Sequence, residues 1–186
     1  MPLSGHIAAR STRNNRHPVI VVSIDPAIRN TGYAVLEGDH KHAVALDYGT
    51  LSLPQKLPQS ACLLAIHEKV CALIEQWQPD ELAIEGIIYV QSHRTAIYMG
   101  SARAATVLAA ARYDKRIMEY PPTCVKLATV GRGAAGKQQV AFMMRAMLGL
   151  TETPAPDAAD ALAIGFTHLA ASDPLKAHLF RERKYI

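Results

Sequence analysis

Apolar and polar positions follow two different periods along this chain, and they predict strands first and helices later. The run VIVVSID (19–25) is apolar and β-branched, which is typical of a strand buried on both faces. YAVLE (33–37) and AVALDYGTLSL (43–53) predict two more strands, and the short connections favour an antiparallel meander. Apolar residues then recur at helical spacing over residues 60–77, and Pro79 ends this helix.

The rest of the chain predicts further helices and two more strands. ELAIE (81–85) and RIMEY (116–120) are short and apolar, as buried strands are. Helical segments are predicted at residues 95–113, 123–129, 137–148 and 157–171. Three consecutive strands followed by alternating helices and strands imply an α/β fold, in which a mixed sheet carries helices on both faces.

We predict a single folded domain over residues 18–172, between a disordered basic arm (1–17) and a basic C-terminal tail (173–186). The arm contains arginines and no acid, so an organellar transit peptide is an alternative to a disordered tail or a misassigned start codon.

The composition narrows the class of protein. The 186 residues are 49% hydrophobic and 19% charged, with a mean hydropathy of +0.04, which is typical of a globular chain. No apolar run approaches the roughly 18 residues that a membrane span needs. Three cysteines, an odd number, argue against a secreted domain held by disulfides. We therefore expect a cytoplasmic protein with no membrane partner, and import into an organelle is the alternative.

Charge alternates along the chain in blocks. Residues 19–85 carry four basic and nine acidic side chains, whereas residues 86–151 carry nine basic and two acidic ones. Residues 152–175 hold four acids and no base. This pattern indicates an acidic site, surrounded by surface that attracts phosphate.

Four acids stand where the predicted fold exposes carboxylates together. Asp25 ends the first strand, Glu85 ends the fourth, and Asp157 and Asp160 lie on one face at the start of the last helix. If the first and fourth strands are parallel neighbours, both strand-end acids emerge at the same edge, where ligands of α/β sheets bind. Such a cluster favours a divalent cation with oxygen ligands, Mg²⁺ or Mn²⁺.

Each acid also has a structural interpretation. Asp157 is a good N-cap and Asp160 a fair first-turn acid, while Asp25 before Pro26 suits a turn, and Glu85 suits a solvated strand end. Capping does not require both core strands to end in an acid, and this conjunction favours a metal site.

Five motifs carry a family resemblance. IDPAIRNTGYAVL, AIEGIIYV, GSARA, CVKLATVGRGAAGKQQV and APDAADALAIGFTH occur in this order, within a match that runs from about Ile20 to His168. Together they resemble the RuvC family of Holliday-junction resolvases. The resemblance implies a ribonuclease H-like fold with a five-stranded mixed sheet. It also implies a homodimeric endonuclease that nicks opposing strands of four-way junction DNA by Mg²⁺-dependent hydrolysis, leaving 5′-phosphate ends that a ligase seals.

The resemblance assigns roles to particular residues. Asp25, Glu85, Asp157 and Asp160 become the ligands of two metal ions, and Lys137 a catalytic residue beside the scissile phosphate. The family has a base-stacking aromatic where Ile88 stands, with Tyr89 next to it, so either residue is a candidate. The remaining candidate DNA contacts are Arg94, Arg103, Lys126 and Arg132. A branch-migration complex of the RuvA–RuvB kind is a candidate partner.

Other functions fit the motifs less well. GRGAAGKQ resembles nucleotide-binding loops, but a P-loop needs Ser or Thr where Gln138 stands and a core strand before it. An actin-like phosphotransferase needs two such domains and leaves the DxxD motif unexplained. A DNA-binding module with a decayed site is not expected to keep all four acids. His40 and His42 are more typical of a turn than of a metal pair.

Overall fold

The computed structural model describes residues 18–87, 92–133 and 136–186. Its strands are β1 (Val19–Asp25), β2 (Asn30–Gly38), β3 (Ala43–Ser52), β4 (Glu81–Glu85), β5 (Ile117–Tyr120) and β6 (Lys184–Tyr185). Its helices are α1 (Gln59–Trp77), α2 (His93–Arg112), α3 (Pro122–Val130), α4 (Lys137–Met147) and α5 (Pro156–Ala170), and a 3₁₀ helix (Pro174–Phe180) follows. The strands and helices predicted from hydrophobic periodicity are confirmed, with boundaries displaced by a few residues at most.

The strands form one mixed sheet in the order β3-β2-β1-β4-β5-β6. The meander β1-β2-β3 is antiparallel, as predicted, and β1-β4-β5 are parallel to one another. The mixed sheet with helices on both faces is therefore confirmed. It has one strand more than the five that the resemblance implies, because β6 pairs antiparallel with β5. A two-residue strand carries no periodic signal, so the sequence pattern does not predict it.

Each face of the sheet has its own hydrophobic core. One core joins Val21, Leu36 and Met118 to α3, α4, α5 and Phe180 of the 3₁₀ helix. The other joins Val22, Ile24 and Ile84 to α1 and α2. The alternation of buried residues along β1 and β4 thus gives these central strands two buried faces, which is why the interior of each strand is mainly apolar.

Residues 173–186, predicted as a basic tail, form the 3₁₀ helix and the edge strand β6, and most of their side chains are exposed. Phe180 is buried and its ring meets the Tyr120 ring edge-on, with the centroids 6.4 Å apart. The three cysteines are free thiols, all buried. In the part of the chain that the structure describes, no helix is long and apolar enough to cross a membrane.

Candidate active site

Asp25 and Glu85 end neighbouring parallel strands at the same edge of the sheet. Ile24 pairs with Ile84, so the next residue of each strand is an acid at the same level. Side chains alternate along a strand, and Ser23, two residues before Asp25, donates a hydrogen bond to the carbonyl of Ala161 on α5. Asp25 therefore points to the sheet face on which α5 packs, and the register places Glu85 on the same face.

The close approach of α5 to the sheet depends on Gly32. This residue lies opposite Asp25 in the β1–β2 ladder. A Cβ atom added there would lie 2.0 Å from the carbonyl oxygen of Asp157, which leaves no room for any side chain. Farther along α5, Gly165 similarly has no space for a Cβ, which would lie 2.6 Å from the Ser23 hydroxyl. These contacts bring the first turn of α5 over the end of β1.

Asp157 and Asp160 lie in the first part of α5, on the side that faces the strand-end acids. The N-cap of α5 is Ala155, and no side chain caps the helix. The interpretation of Asp157 as a capping residue is therefore wrong, since Pro156 and Asp157 already belong to the first turn. Both aspartates are only partly buried.

Burial, and to a lesser extent mutual repulsion, raises the pKa values of the two strand-end acids. Burial, followed by the negative charges of Asp160 and Asp157, raises the pKa of Asp25 to about 7. Burial, followed by the charges of Asp25 and Asp160, raises the pKa of Glu85 to about 7. Within the described residues no hydrogen-bond donor satisfies the carboxylate of either Asp25 or Glu85. A cation placed among these acids would therefore relieve a large electrostatic cost.

Two lysines border the acids. The Nζ atom of Lys137, at the start of α4, lies 3.1 Å from Oδ2 of Asp160, and this hydrogen bond raises the pKa of Lys137. Lys126 lies on α3, which packs on the same face of the sheet as α5, and its positive charge opposes the rise in the pKa of Glu85. The site thus combines four carboxylates with two ammonium groups.

The donor set suits Mg²⁺ or Mn²⁺, because all four groups offer carboxylate oxygens and none is a thiolate or an imidazole. Across residues 18–87, 92–133 and 136–186, no group of three or more Asp, Glu, His or Cys side chains is placed so that it could hold a metal ion in the conformation described. The carboxylates converge on one region, and the Lys137 ammonium neutralises part of their charge. These residues therefore fit a divalent metal by chemistry and electrostatics.

Comparison with known proteins identifies the family. The family model of the crossover junction endodeoxyribonuclease RuvC matches residues 21–168. The chain is 66% identical to RuvC of Akkermansia muciniphila over 166 residues, which covers 89% of this chain and 99% of that protein. The chain belongs to the RuvC family. It is also 39% identical to RuvC of Bradyrhizobium diazoefficiens over 82% of this chain and 87% of the relative.

Solved structures agree with this assignment. A structure of Thermus thermophilus RuvC in complex with Holliday junction substrate matches with a TM-score of 0.77 and 32% identity, over 83% of this chain and 95% of that one. The yeast mitochondrial Holliday junction resolvase matches at 13% identity with a TM-score of 0.63, which supports the fold alone. The ribonuclease H-like architecture expected from the motifs is confirmed through the RuvC match.

The candidate DNA contacts of this RuvC-family chain occupy different environments. Arg132 is exposed, and Arg94 is exposed at the start of α2, with its guanidinium 5.5 Å from the Tyr98 ring. Arg103 is instead paired with Glu119 of β5. Ile88 and Tyr89, the two candidates for base stacking, lie outside the described residues.

Three residues that matter for the geometry were not singled out from the sequence. Gly32 and Ser23 control how closely α5 approaches the sheet, and Glu119 pairs with Arg103 behind the end of β4. A glycine inside a strand is a known signal for a close backbone approach, so Gly32 was open to prediction. Nothing local distinguishes Ser23 or Glu119.

Proposed function

We propose that this chain resolves four-way DNA junctions by metal-dependent hydrolysis of two symmetrically placed phosphodiester bonds, leaving ligatable 5′-phosphate nicks. The observation that carries the proposal is the convergence of Asp25, Glu85, Asp157 and Asp160 at one edge of the sheet, with two lysines beside them. Membership of the RuvC family supports the choice of substrate.

In this proposal Asp25, Glu85, Asp157 and Asp160 would hold two Mg²⁺ ions. Bound Mg²⁺, for which Mn²⁺ is expected to substitute, would supply a water molecule of lowered pKa and positive charge at the leaving 3′ oxygen. The protein supplies carboxylates that are already in position. Because burial and neighbouring negative charges raise the pKa values of Asp25 and Glu85, positive charge at the site would favour their ionised forms.

Lys137 has a second task in the proposal. Its ammonium group lies beside Asp160 and is exposed to solvent on the other side, so it is within reach of a phosphate that approaches the acids. A cation at this position favours the extra negative charge of the transition state. The Lys126 ammonium group is proposed to stabilise the same negative charge from the side of Glu85.

The DNA is proposed to contact the basic side chains of residues 86–151. Exposed Arg94 and Arg132 are proposed as phosphate contacts, and Arg103 becomes one only if DNA competes with Glu119 for its guanidinium. Ile88 or Tyr89 is proposed to stack on a junction base, which is the task of an aromatic in such a loop.

A homodimer is part of the proposal because two symmetric nicks require two sites related by a two-fold axis. The exposed side of α2 offers an apolar stripe, in which Ile97 and Leu108 are 65% and 64% exposed. Ser101 and Ala104 lie between them at helical spacing. A second copy of this chain is the proposed occupant of the stripe. A cytoplasmic location and a branch-migration complex of the RuvA–RuvB kind complete the proposal.

The test is cleavage of a labelled four-way junction beside linear duplex and flap DNA, with Mg²⁺, Mn²⁺ or EDTA. We expect paired nicks confined to the junction, and none in EDTA. Asp25→Asn, Glu85→Gln and Asp157→Asn are expected to bind the junction and to lose cleavage. Cutting of all three substrates would reject junction specificity, whereas binding without cutting in either metal would favour a non-catalytic module.

A further inference from the structure

Glu119 is the centre of an ion-paired cluster on the face of the sheet opposite to the four acids. Its carboxylate pairs with Arg103 of α2, and its Oε1 atom lies 3.2 Å from Nζ of Lys184 on β6. The side chain of Glu119 is only 13% exposed. Arg103 is 20% exposed and Lys184 65%, so solvent screens the Glu119–Arg103 pair less than an ordinary surface pair, while Lys184 contacts Glu119 from the solvent side.

This cluster touches the backbone directly after a proposed metal ligand. Gly86 follows Glu85, and its N–H donates a hydrogen bond to the carbonyl of Tyr120, the residue after Glu119. A Cβ added to Gly86 would lie 3.3 Å from Cγ, Cδ and Oε1 of Glu119, so the glutamate packs against this glycine. The Glu119 side chain therefore contacts the backbone immediately after the end of β4.

The third member of the cluster comes from the far C-terminal segment. β6 is held on the sheet by the pairing of Lys184 with Glu119 and of Tyr185 with Met118, and the Arg116 guanidinium lies 4.9 Å from the Tyr185 ring. The family model ends at His168, so this contact lies outside the matched region. The arrangement links the C-terminal segment to the catalytic end of β4 by way of Glu119.

We propose that Glu119, held by Arg103 and Lys184, is a positioning residue that fixes the end of β4 and with it the Glu85 carboxylate. The C-terminal segment then helps to position the proposed metal ligand Glu85, and it is not only a nonspecific DNA-binding tail. This inference rests on the proposed role of Glu85 as a metal ligand. Arg103 serves here as a structural partner of Glu119, and a DNA phosphate would have to compete with Glu119 for its guanidinium.

Two lysines of the C-terminal segment allow a matched test. Lys184→Gln removes a charge that contacts Glu119, while Lys176→Gln removes the same charge from the exposed surface of the 3₁₀ helix. If the segment only attracts DNA, both variants weaken junction binding equally and alter nothing else. If Lys184 holds Glu119, Lys184→Gln alone lowers the single-turnover cleavage rate of bound junction, by about threefold, and Glu119→Gln lowers it by about tenfold.

Mn²⁺ binding in the absence of DNA provides a second measurement that does not depend on cleavage. We expect calorimetry to show weaker Mn²⁺ binding for Lys184→Gln and Glu119→Gln, and unchanged binding for Lys176→Gln. Equal behaviour of the two lysine variants would overturn the inference. So would a Glu119→Gln protein with a lower melting temperature but unchanged Mn²⁺ affinity and cleavage rate. If the wild-type chain binds Mn²⁺ but cuts no junction, the proposed function fails while the Mn²⁺ comparison still decides the role of Glu119.

Discussion

Replacement of Gly32 by alanine is expected to move Asp157 and Asp160 of α5 away from the strand-end acid Asp25. Gly32 pairs with Asp25 on one side and faces the backbone carbonyl of Asp157 on the other. The new Cβ would lie 2.0 Å from that oxygen, whereas real Cβ contacts essentially never fall below 3.0 Å, so the backbone must retreat by about 1 Å. The obstacle is main chain, which no side-chain rotation can remove.

The expected cost has two parts. Overpacking of this kind lowers the free energy of unfolding by about 1–3 kcal/mol. A displacement of about 1 Å between groups that must act together lowers a reaction rate by roughly 100-fold. Because Asp157 and Asp160 belong to the same turn of α5, both move away from Asp25 together. Cleavage is therefore expected to suffer far more than folding.

The measurements are single-turnover cleavage of a saturating four-way junction and denaturant unfolding of the same preparations. Gly165→Ala is a graded comparison, because its Cβ would meet the side chains of Leu36 and Ser23, which can shift, more than one helical turn beyond Asp160. Gly100→Ala on α2 meets no atom within 4 Å and is expected to leave stability unchanged or to raise it. Wild-type cleavage by Gly32→Ala would refute the reasoning. Equal losses of cleavage in Gly32→Ala and Gly165→Ala would also refute it, since general destabilisation would then be the cause.

Two further predictions concern charge at the site. In metal-free protein, the free energy of unfolding is expected to fall by on the order of 1 kcal/mol between about pH 6.5 and about pH 8. The sign follows because the pKa values of Asp25 and Glu85 are raised to about 7, so the native state holds protons that the unfolded state has lost. His168 opposes this fall only at the acid end of the window: burial lowers its native pKa to about 4, whereas the unfolded imidazole, with its ordinary pKa of about 6.5, is half protonated at pH 6.5 and neutral near pH 8. Denaturant titrations at several pH values test this prediction, Asp25→Asn is expected to flatten the profile, and stability that rises across the window would contradict it. Lys137→Ala is expected to slow cleavage about tenfold while junction affinity changes little, because its ammonium acts on the charge of the reacting phosphate. Arg132→Ala removes an exposed charge nearby and is expected to weaken binding alone, so equal losses of binding and cleavage in the lysine variant would make Lys137 a simple phosphate anchor.

Much of the fold was open to prediction because its signals are local. The β-branched run 19–25 and the apolar run 81–85 need two buried faces, which only the interior of a covered sheet provides. The same runs end in Asp25 and Glu85, so the parallel pairing of two neighbouring strands was enough to bring these acids to one edge. The segment 173–186 lacked such a signal, because its contribution rests on single contacts such as buried Phe180 and the two-residue strand β6.

The amino-acid sequence by itself determined which residues carry the chemistry and on which elements they lie, since residue identity and periodicity are local properties. Only the tertiary structure decided how near those elements come to one another. The distance from Asp25 to the first turn of α5 depends on a missing Cβ at Gly32 and a hydroxyl at Ser23. The support behind Glu85 likewise depends on Glu119 meeting partners from α2 and β6. Such distances are set by packing between segments far apart in the chain, and periodicity within a segment holds no information about them.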